Sequence, residues 1–183
     1  MTYEYKSHIY LAEAVLNVKD LASQTAFYQQ IIGLEILSQT ETEALAAQDI
    51  YELGERVEPF ILAEGSRMGH IHLSVKDSRK SSQFYQKVLG LEDKFSVPSA
   101  SWIAAGDYHH HLAVNEWGGK GLVPRKQGLP GLAYYVIEVA HKEELLAIAQ
   151  RAQEVDAPIK WLASSQLEII DPDGIVTRVR LDR

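Results

Sequence analysis

Two stretches of alternating apolar and polar residues stand out along the chain, and each is followed by a helical pattern. Residues 13–18 and 70–75 alternate with a period of two, which predicts strands that bury one face. Each stretch runs into an aspartate, Asp20 or Asp77, whose carboxylate is suited to accept hydrogen bonds from the free amides of a helix N-terminus. A strand that leads into a helix is therefore predicted twice.

These two stretches belong to an internal repeat. A shift of 57 residues aligns residues 11–37 with residues 68–94 without a gap, and ten of the 27 aligned pairs are identical. Gly33 and Gly90 coincide in the alignment, at the place where each helix is expected to end. A second strand is predicted to begin at the leucine after each glycine, so that each copy has the order strand–helix–strand.

The second copy continues into a longer module, and a weaker form of the same pattern follows it. Residues 118–130 hold four glycines and two prolines, which predicts a loop. The further elements predicted are strands at 100–106, 109–116, 132–139, 158–162, 166–170 and 175–181 and a helix at 141–155. Residues 69–117 and 131–182 are thus each predicted to form strand–helix–three strands, which is an α+β class of fold.

Residues 38–67 separate the first copy from the second. Thr40 and Glu43 have the spacing of a capping box, and Gly54 follows a run of good helix formers. We predict a helix over 41–53 and an extended linker up to residue 67. The expected domain organisation is a partial βαβ module at 1–40, a linker at 41–67 and a complete domain of two modules at 68–183.

Composition narrows the classes of function. The 183 residues carry a formal net charge of −7 and include no cysteine. The negative balance argues against nucleic-acid binding, and no apolar run approaches the ~20 residues that cross a bilayer. The lack of cysteine excludes thiolate metal sites and disulfides and fits a reducing compartment. We expect a cytoplasmic protein with a small-molecule substrate and with no nucleic-acid or membrane partner.

Several motifs carry a resemblance to a known family. They are the sequence Gly-His-Ile-His-Leu-Ser-Val-Lys-Asp at 69–77, Phe84-Tyr85, Leu-Gly-Leu at 89–91, and Gly-Asp-Tyr-His-His-His-Leu-Ala-Val-Asn at 106–115 followed by Trp117. Together they resemble the vicinal-oxygen-chelate superfamily of glyoxalases, bleomycin-resistance proteins and extradiol dioxygenases, in its catechol 2,3-dioxygenase-like branch. The resemblance implies paired βαβββ modules that form a curved mixed sheet around a concave site, here preceded by a shortened N-terminal domain.

The resemblance also implies site residues in the first complete module. His70 and His111 fall on metal-ligand positions, and His110 falls nearest to an acid/base histidine, which makes it a candidate catalytic residue. His72 shares the face of His70 by strand alternation and is a candidate substrate-binding residue. Alternation along the predicted strand 109–116 places His109 and His111 on one face and His110 on the other, so that a bulge is needed for all three to contribute.

The second module departs from the family pattern at both of its ligand positions. Tyr134 stands where the family has histidine, and Arg178 stands where it has glutamate. Tyrosine is a poor ligand for ferrous iron, and arginine stays protonated and binds no metal. We retain Tyr134 as a candidate catalytic or cavity-wall residue and Arg178 as a candidate ligand for a substrate anion, and Glu138 is a candidate replacement carboxylate.

Two functions remain open from the sequence. The first is a ring-cleaving dioxygenase or glyoxalase-type lyase, with Fe(II) or another divalent metal as the implied cofactor. The second is a metal-free binding module or inactive homologue that uses the same concavity and has no cofactor. Because two ligand positions are lost, we expect weak metal binding at most. We also expect a homo-oligomer, since a partial module leaves strand edges unpaired.

Overall fold

The computed structural model of the chain describes residues 9–30, 68–119, 121–124, 126 and 130–182. Among these, one compact unit comprises residues 9–14, 68–126 and 134–182, and another comprises residues 15–30 and 130–133. The second strand of the first copy and the helix predicted at 41–53 lie outside the described residues. No helix in the described ranges is long and apolar enough to cross a membrane.

Nine strands and three helices are described. The strands are β1 (Ile9–Asn17), β2 (Ile71–Ser74), β3 (Glu92–Val97), β4 (Ala100–Ala104), β5 (Leu112–Asn115), β6 (Gly131–Val139), β7 (Ile159–Ala163), β8 (Gln166–Ile170) and β9 (Val176–Leu181). The helices are α1 (Leu21–Gln30), α2 (Ser78–Leu89) and α3 (Lys142–Glu154).

The first complete module forms a four-stranded sheet in the order β2-β5-β4-β3. Strand β2 pairs with β5 in parallel, with Leu73 opposite Val114, and β4 pairs antiparallel with both β5 and β3. The parallel pair requires a crossover between β2 and β5, and α2 lies in that connection together with β3 and β4. Residues 69–117 therefore have the predicted order of strand, helix and three strands.

The second module repeats this topology in the five-stranded sheet β1-β6-β9-β8-β7. Strand β6 is parallel to β9, and β8 is antiparallel to both β9 and β7. In each module the first strand thus pairs with the last, and the two middle strands follow outward. The structure has two mixed sheets and few helices, which confirms the predicted α+β class.

Helix α2 shows why the repeat pattern predicted its ends. The Asp77 carboxylate accepts a hydrogen bond from the Lys80 amide at 3.0 Å, which satisfies one of the free N–H groups of the first turn. Gly90 ends the helix in the left-handed region at φ 72°, where glycine adopts the conformation without strain. The buried face is rich in serine, and the Ser82 hydroxyl lies 2.7 Å from that of Ser101 on β4. Small side chains let the helix approach the sheet closely.

Helix α1 begins in the same way as α2. The Asp20 carboxylate accepts hydrogen bonds from the amide of Ser23 at 3.1 Å and from its hydroxyl at 2.8 Å. These bonds lower the pKa of Asp20. Within residues 9–30 the structure thus describes one strand, β1, and one helix, α1.

A buried polar network joins the two complete modules. The Tyr85 hydroxyl on α2 donates to the Asp171 carboxylate at 2.7 Å, and Asp171 also accepts from the Ile175 amide at 2.8 Å. In the second module, the Thr177 hydroxyl donates to that of Tyr135 at 2.8 Å. Burial is the main cause that raises the pKa of Asp171 to about 6. The turn between β8 and β9 is thereby anchored to the helix of the other module.

Candidate metal centre

Four histidines of the first module lie close together at one end of its parallel strand pair. His70 directly precedes β2 and His72 lies within it, and both are exposed. The Ile71 amide donates to the His111 carbonyl at 3.0 Å, which aligns the start of β2 with the segment that leads into β5. The residues before β5 are therefore held beside those before β2.

The segment before β5 is a loop, which corrects the predicted strand at 109–116. Strand β5 begins at Leu112, and Gly106 turns the chain after β4 with a φ of 59°. Strand alternation consequently does not govern His109 and His110, and no bulge is needed for both to approach His70. The ring centroid of His70 lies 4.2 Å from that of His110 and 5.8 Å from that of His109.

Three of these histidines lie close enough together that they could hold a metal ion. One ring nitrogen from each of His70, His109 and His110 lies within 4.8 Å of the other two. Imidazole nitrogen is a preferred donor for zinc, copper, iron and nickel. The Nε2 atom of His72 lies 3.3 Å from the Nε2 atom of His110, so that a hydrogen bond joins His72 to the group. The group contains no carboxylate.

Electrostatics keep part of this cluster neutral. Burial, and then the neighbouring imidazoles His70, His109 and His72, lower the pKa of His110 to about 4. Burial and the proximity of His72 and His109 also lower the pKa of His70. Metal binding needs the unprotonated ring. At neutral pH both rings therefore offer a lone pair.

His111 lies elsewhere than the expected ligand position. Its side chain is 1% exposed, and its Nδ1 accepts a hydrogen bond from the Ala105 amide at 3.2 Å. The ring also hydrogen-bonds the backbone of Ile9, and burial is the main cause that lowers its pKa to about 4. The ring of His111 is therefore used in the core, and the ring that lies near His70 is that of His109.

In the second module, Tyr134 and Arg178, the two residues that depart from the family pattern, contact each other. The guanidinium carbon of Arg178 lies 3.6 Å from the ring centroid of Tyr134, and Arg178 donates to the Glu168 carboxylate at 3.0 Å. The positive charge of Arg178 is therefore balanced by Glu168, and its guanidinium group stacks on the ring of Tyr134. The structure does not bring Tyr134 or Arg178 into the group of three histidines.

Glu138, the candidate replacement carboxylate, is also paired with an arginine. Arg180 donates to Glu138 at 2.7 Å and forms an ion pair with Glu13, which occupies the position equivalent to His70 in the first copy. Within the part of the chain that the structure describes, the possible metal-binding group contains histidines alone. These residues therefore do not fit the two-histidine, one-carboxylate set of the dioxygenases, whereas they do fit an ion that accepts three imidazoles.

A cavity of about 370 Å³ lies apart from the predicted site. It is bounded by α2 and by β3 and β4, and its lining includes Arg79, Gln86, Asp93 and Ser101. None of the lining residues is a predicted site residue. The sequence analysis did not include His109 among the candidate ligands because it placed residues 109–111 at the start of a strand. The signal that was available is the glycine-containing turn at 106–108 directly before them.

Two βαβββ modules of the same topology, one of which carries a cluster of histidines, define a paired-module class of protein. The family comparison agrees with this class. Residues 67–179 match the family model described as Glyoxalase/Bleomycin resistance protein/Dioxygenase superfamily. The chain belongs to this superfamily, which confirms the resemblance seen in the sequence.

Individual relatives share only part of the chain. A catechol-2,3-dioxygenase of Bacillus subtilis (strain 168) is 36% identical over 107 residues, which are 57% of this chain and 37% of that protein. A glyoxylase/bleomycin resistance protein/dioxygenase domain from Frankia sp. EAN1pec has a TM-score of 0.53 at 19% identity and covers 64% of this chain and 98% of that one.

A fosfomycin resistance protein, FosX, from Listeria monocytogenes was solved in complex with Mn(II) and a sulfate ion. It has a TM-score of 0.50 at 16% identity and covers 67% of this chain and 93% of that one. The two structural likenesses show the fold. The chain spans little more than a third of the length of the Bacillus protein.

Proposed function

We propose that this chain binds a divalent metal ion through His70, His109 and His110 and uses it to bind a small, oxygen-bearing aromatic molecule of the catechol type. The observation that carries the proposal is the convergence of three imidazole nitrogens within 4.8 Å at the exposed end of β2. The catechol type of ligand is supported by the 36% identity with a catechol-2,3-dioxygenase.

Three imidazole ligands leave coordination positions open for the oxygens of a ligand. A bound divalent ion supplies Lewis acidity, which favours the deprotonated form of a hydroxyl group on the ligand. The residues of this chain orient the site. His72 hydrogen-bonds His110 and so restrains the direction of that ring, as outer-shell partners of metal ligands do.

The identity of the ion follows from the donor set. Zn(II), Co(II) and Ni(II) accept three neutral nitrogen ligands, whereas extradiol cleavage uses Fe(II) with two histidines and a carboxylate. The carboxylates of Glu13, Glu138 and Glu168 are all paired with arginine. We therefore favour ligand binding at a nitrogen-only metal centre over ring cleavage with Fe(II).

A metal-free binding module is the second candidate function. The observation that favours it is the contact of Arg178 with Tyr134 and Glu168 at the two lost ligand positions. In that case the exposed histidines contact the ligand directly. The two functions differ in a single property, which is whether ligand affinity depends on a metal.

Calorimetric titration with Zn(II) of chelator-treated protein tests the proposal. We expect one ion per chain, and at least ~100-fold weaker binding for His70→Ala because one of three ligands is removed. His141→Ala is the matched control, since His141 is an exposed histidine at the start of α3 whose side chain caps no amide. Equal affinity of wild type and His70→Ala would refute the metal centre.

Catechol binding and turnover separate the functions. With the Zn(II) form, we expect catechol to bind more tightly than to the chelator-treated protein. Equal catechol affinity with and without metal would support the metal-free module. After anaerobic loading with Fe(II), the appearance of ring-cleavage absorbance in air would support the dioxygenase.

We also propose that the protein is a cytoplasmic homo-oligomer. Strands β3 and β7 end the described sheets, and every residue of β3 is exposed. Open strand edges are often covered by a partner. Sedimentation equilibrium measures the mass directly, and a monomer at all concentrations would contradict this part of the proposal.

A further inference from the structure

Trp117 is an exposed aromatic residue directly after the first module's last strand. Its side chain is 65% exposed, although tryptophan is usually well buried in folded proteins. An indole in this position contributes little to the core. The exposure of Trp117 therefore favours a role other than core packing.

The backbone around Trp117 is fixed by hydrogen bonds. The Trp117 amide donates to the side-chain oxygen of Asn115 at 3.2 Å. The Glu116 carboxylate accepts from the amide and the hydroxyl of Ser78 at 2.9 and 2.8 Å, which ties it to the start of α2. The Gly119 amide closes a turn on the Glu116 carbonyl at 2.9 Å. The exposed indole is therefore held at a defined place.

That place borders the histidine cluster. The indole ring centroid lies 6.4 Å from that of His72, with the two planes tilted by 46°. His72 in turn contacts His110, one of the three proposed metal ligands. An exposed indole beside the histidine cluster is suited to contact a planar ligand bound there, because aromatic rings attract one another when they stack.

We infer that Trp117 is a specificity-determining residue that stacks on the planar ring of the ligand. In this arrangement the ring of the bound ligand extends from the metal towards the indole. This inference rests on the proposed function, since the oxygens are held by the metal ion.

A matched pair of chelating probes tests the inference. Benzohydroxamate and acetohydroxamate present the same two oxygens to a metal, and only the first carries an aromatic ring. On the Zn(II)-loaded protein, Trp117→Ala is expected to weaken benzohydroxamate binding about 3- to 10-fold and to change acetohydroxamate binding less than 2-fold. Trp117→Phe is expected to keep most of the affinity.

The control variant is Trp161→Ala, since Trp161 is another exposed tryptophan, on β7 at the edge of the other sheet. It is expected to leave both affinities unchanged. An equal effect of Trp117→Ala on both probes, or no effect on either, would overturn the role of Trp117 while leaving the metal centre intact. If neither probe binds the wild-type protein, the proposed function fails, and the stacking role fails with it. Circular dichroism verifies that each variant is folded.

Discussion

The two complete modules share one topology and differ in what they place beside it. Both pair their first strand with their last in parallel and add two antiparallel strands. Beside the first strand of one module stands a group of histidines with no carboxylate. At the corresponding positions of the other module, Tyr134 and Arg178 stack on each other.

The topology that the two complete modules share fixes where side chains stand. The residue types at those positions determine the chemistry of each module. Charges in the second module are balanced pairwise, by Arg178 with Glu168 and by Arg180 with Glu138. The first module groups histidine nitrogens, and among the described residues this group contains no carboxylate. The sheet of the second module therefore has ion pairs at positions that correspond to those of the histidines in the first module.

The largest expected effect comes from the histidine that the first module buries. His111→Ala is expected to lower the free energy of unfolding by about 2–4 kcal/mol, because it leaves a cavity and an unpaired amide at Ala105. His109→Ala is expected to change it by less than about 0.5 kcal/mol, since His109 is exposed. Urea denaturation measures both. Similar losses for the two variants would contradict the division between core and ligand histidines.

The next effect concerns the contact between the modules and depends on pH. The pKa of Asp171 is raised to about 6 in the fold, from 3.8, so the folded state keeps a proton that the unfolded chain releases between those pH values. The contribution of Asp171 to stability is greatest below pH 4, is lost as the pH rises to about 6, and is constant above it.

Asp171→Asn is the variant that checks this pH dependence. The difference in unfolding free energy between wild type and Asp171→Asn is expected to change by on the order of 2 kcal/mol between pH 4 and 7. Denaturant titrations at several pH values measure that difference. A difference that stays constant with pH would show that Asp171 is ionised throughout.

The smallest effect is expected from the ion pair of the second module. Arg178→Met removes a partly exposed ion pair and a cation–π contact, which together are expected to stabilise the fold by about 1 kcal/mol or less. Zn(II) affinity is expected to stay within about 2-fold of wild type, since Arg178 does not belong to the histidine group. A large gain in metal affinity would show that the arginine suppresses a site in its own module.

Much of the fold could be predicted from the sequence because the repeat carries its own signals. Asp77 and Gly90 cap α2 as their positions indicated, and both complete modules have the expected order of elements. Caps and alternation are local, so a single sequence displays them.

The site was less predictable because it depends on one boundary. The start of β5 at Leu112 decides which of three consecutive histidines are exposed, and the glycine-containing turn at 106–108 is the one local signal of that boundary that we identify. The pairing of Arg178 with Glu168 across β8 and β9 depends on register, which alternation alone does not give. Spacing predicted the candidates, and the tertiary fold brings His70 and His110 together with His109.

In the proposed function the metal ion binds to the first module alone, through His70, His109 and His110. The most direct test is a crystal structure of the Zn(II)-loaded protein with anomalous diffraction measured at the zinc absorption edge. We expect one anomalous peak about 2.0–2.1 Å from ring nitrogens of His70, His109 and His110. A peak beside Tyr134 and Glu138, or no peak near the three histidines, would contradict the claim.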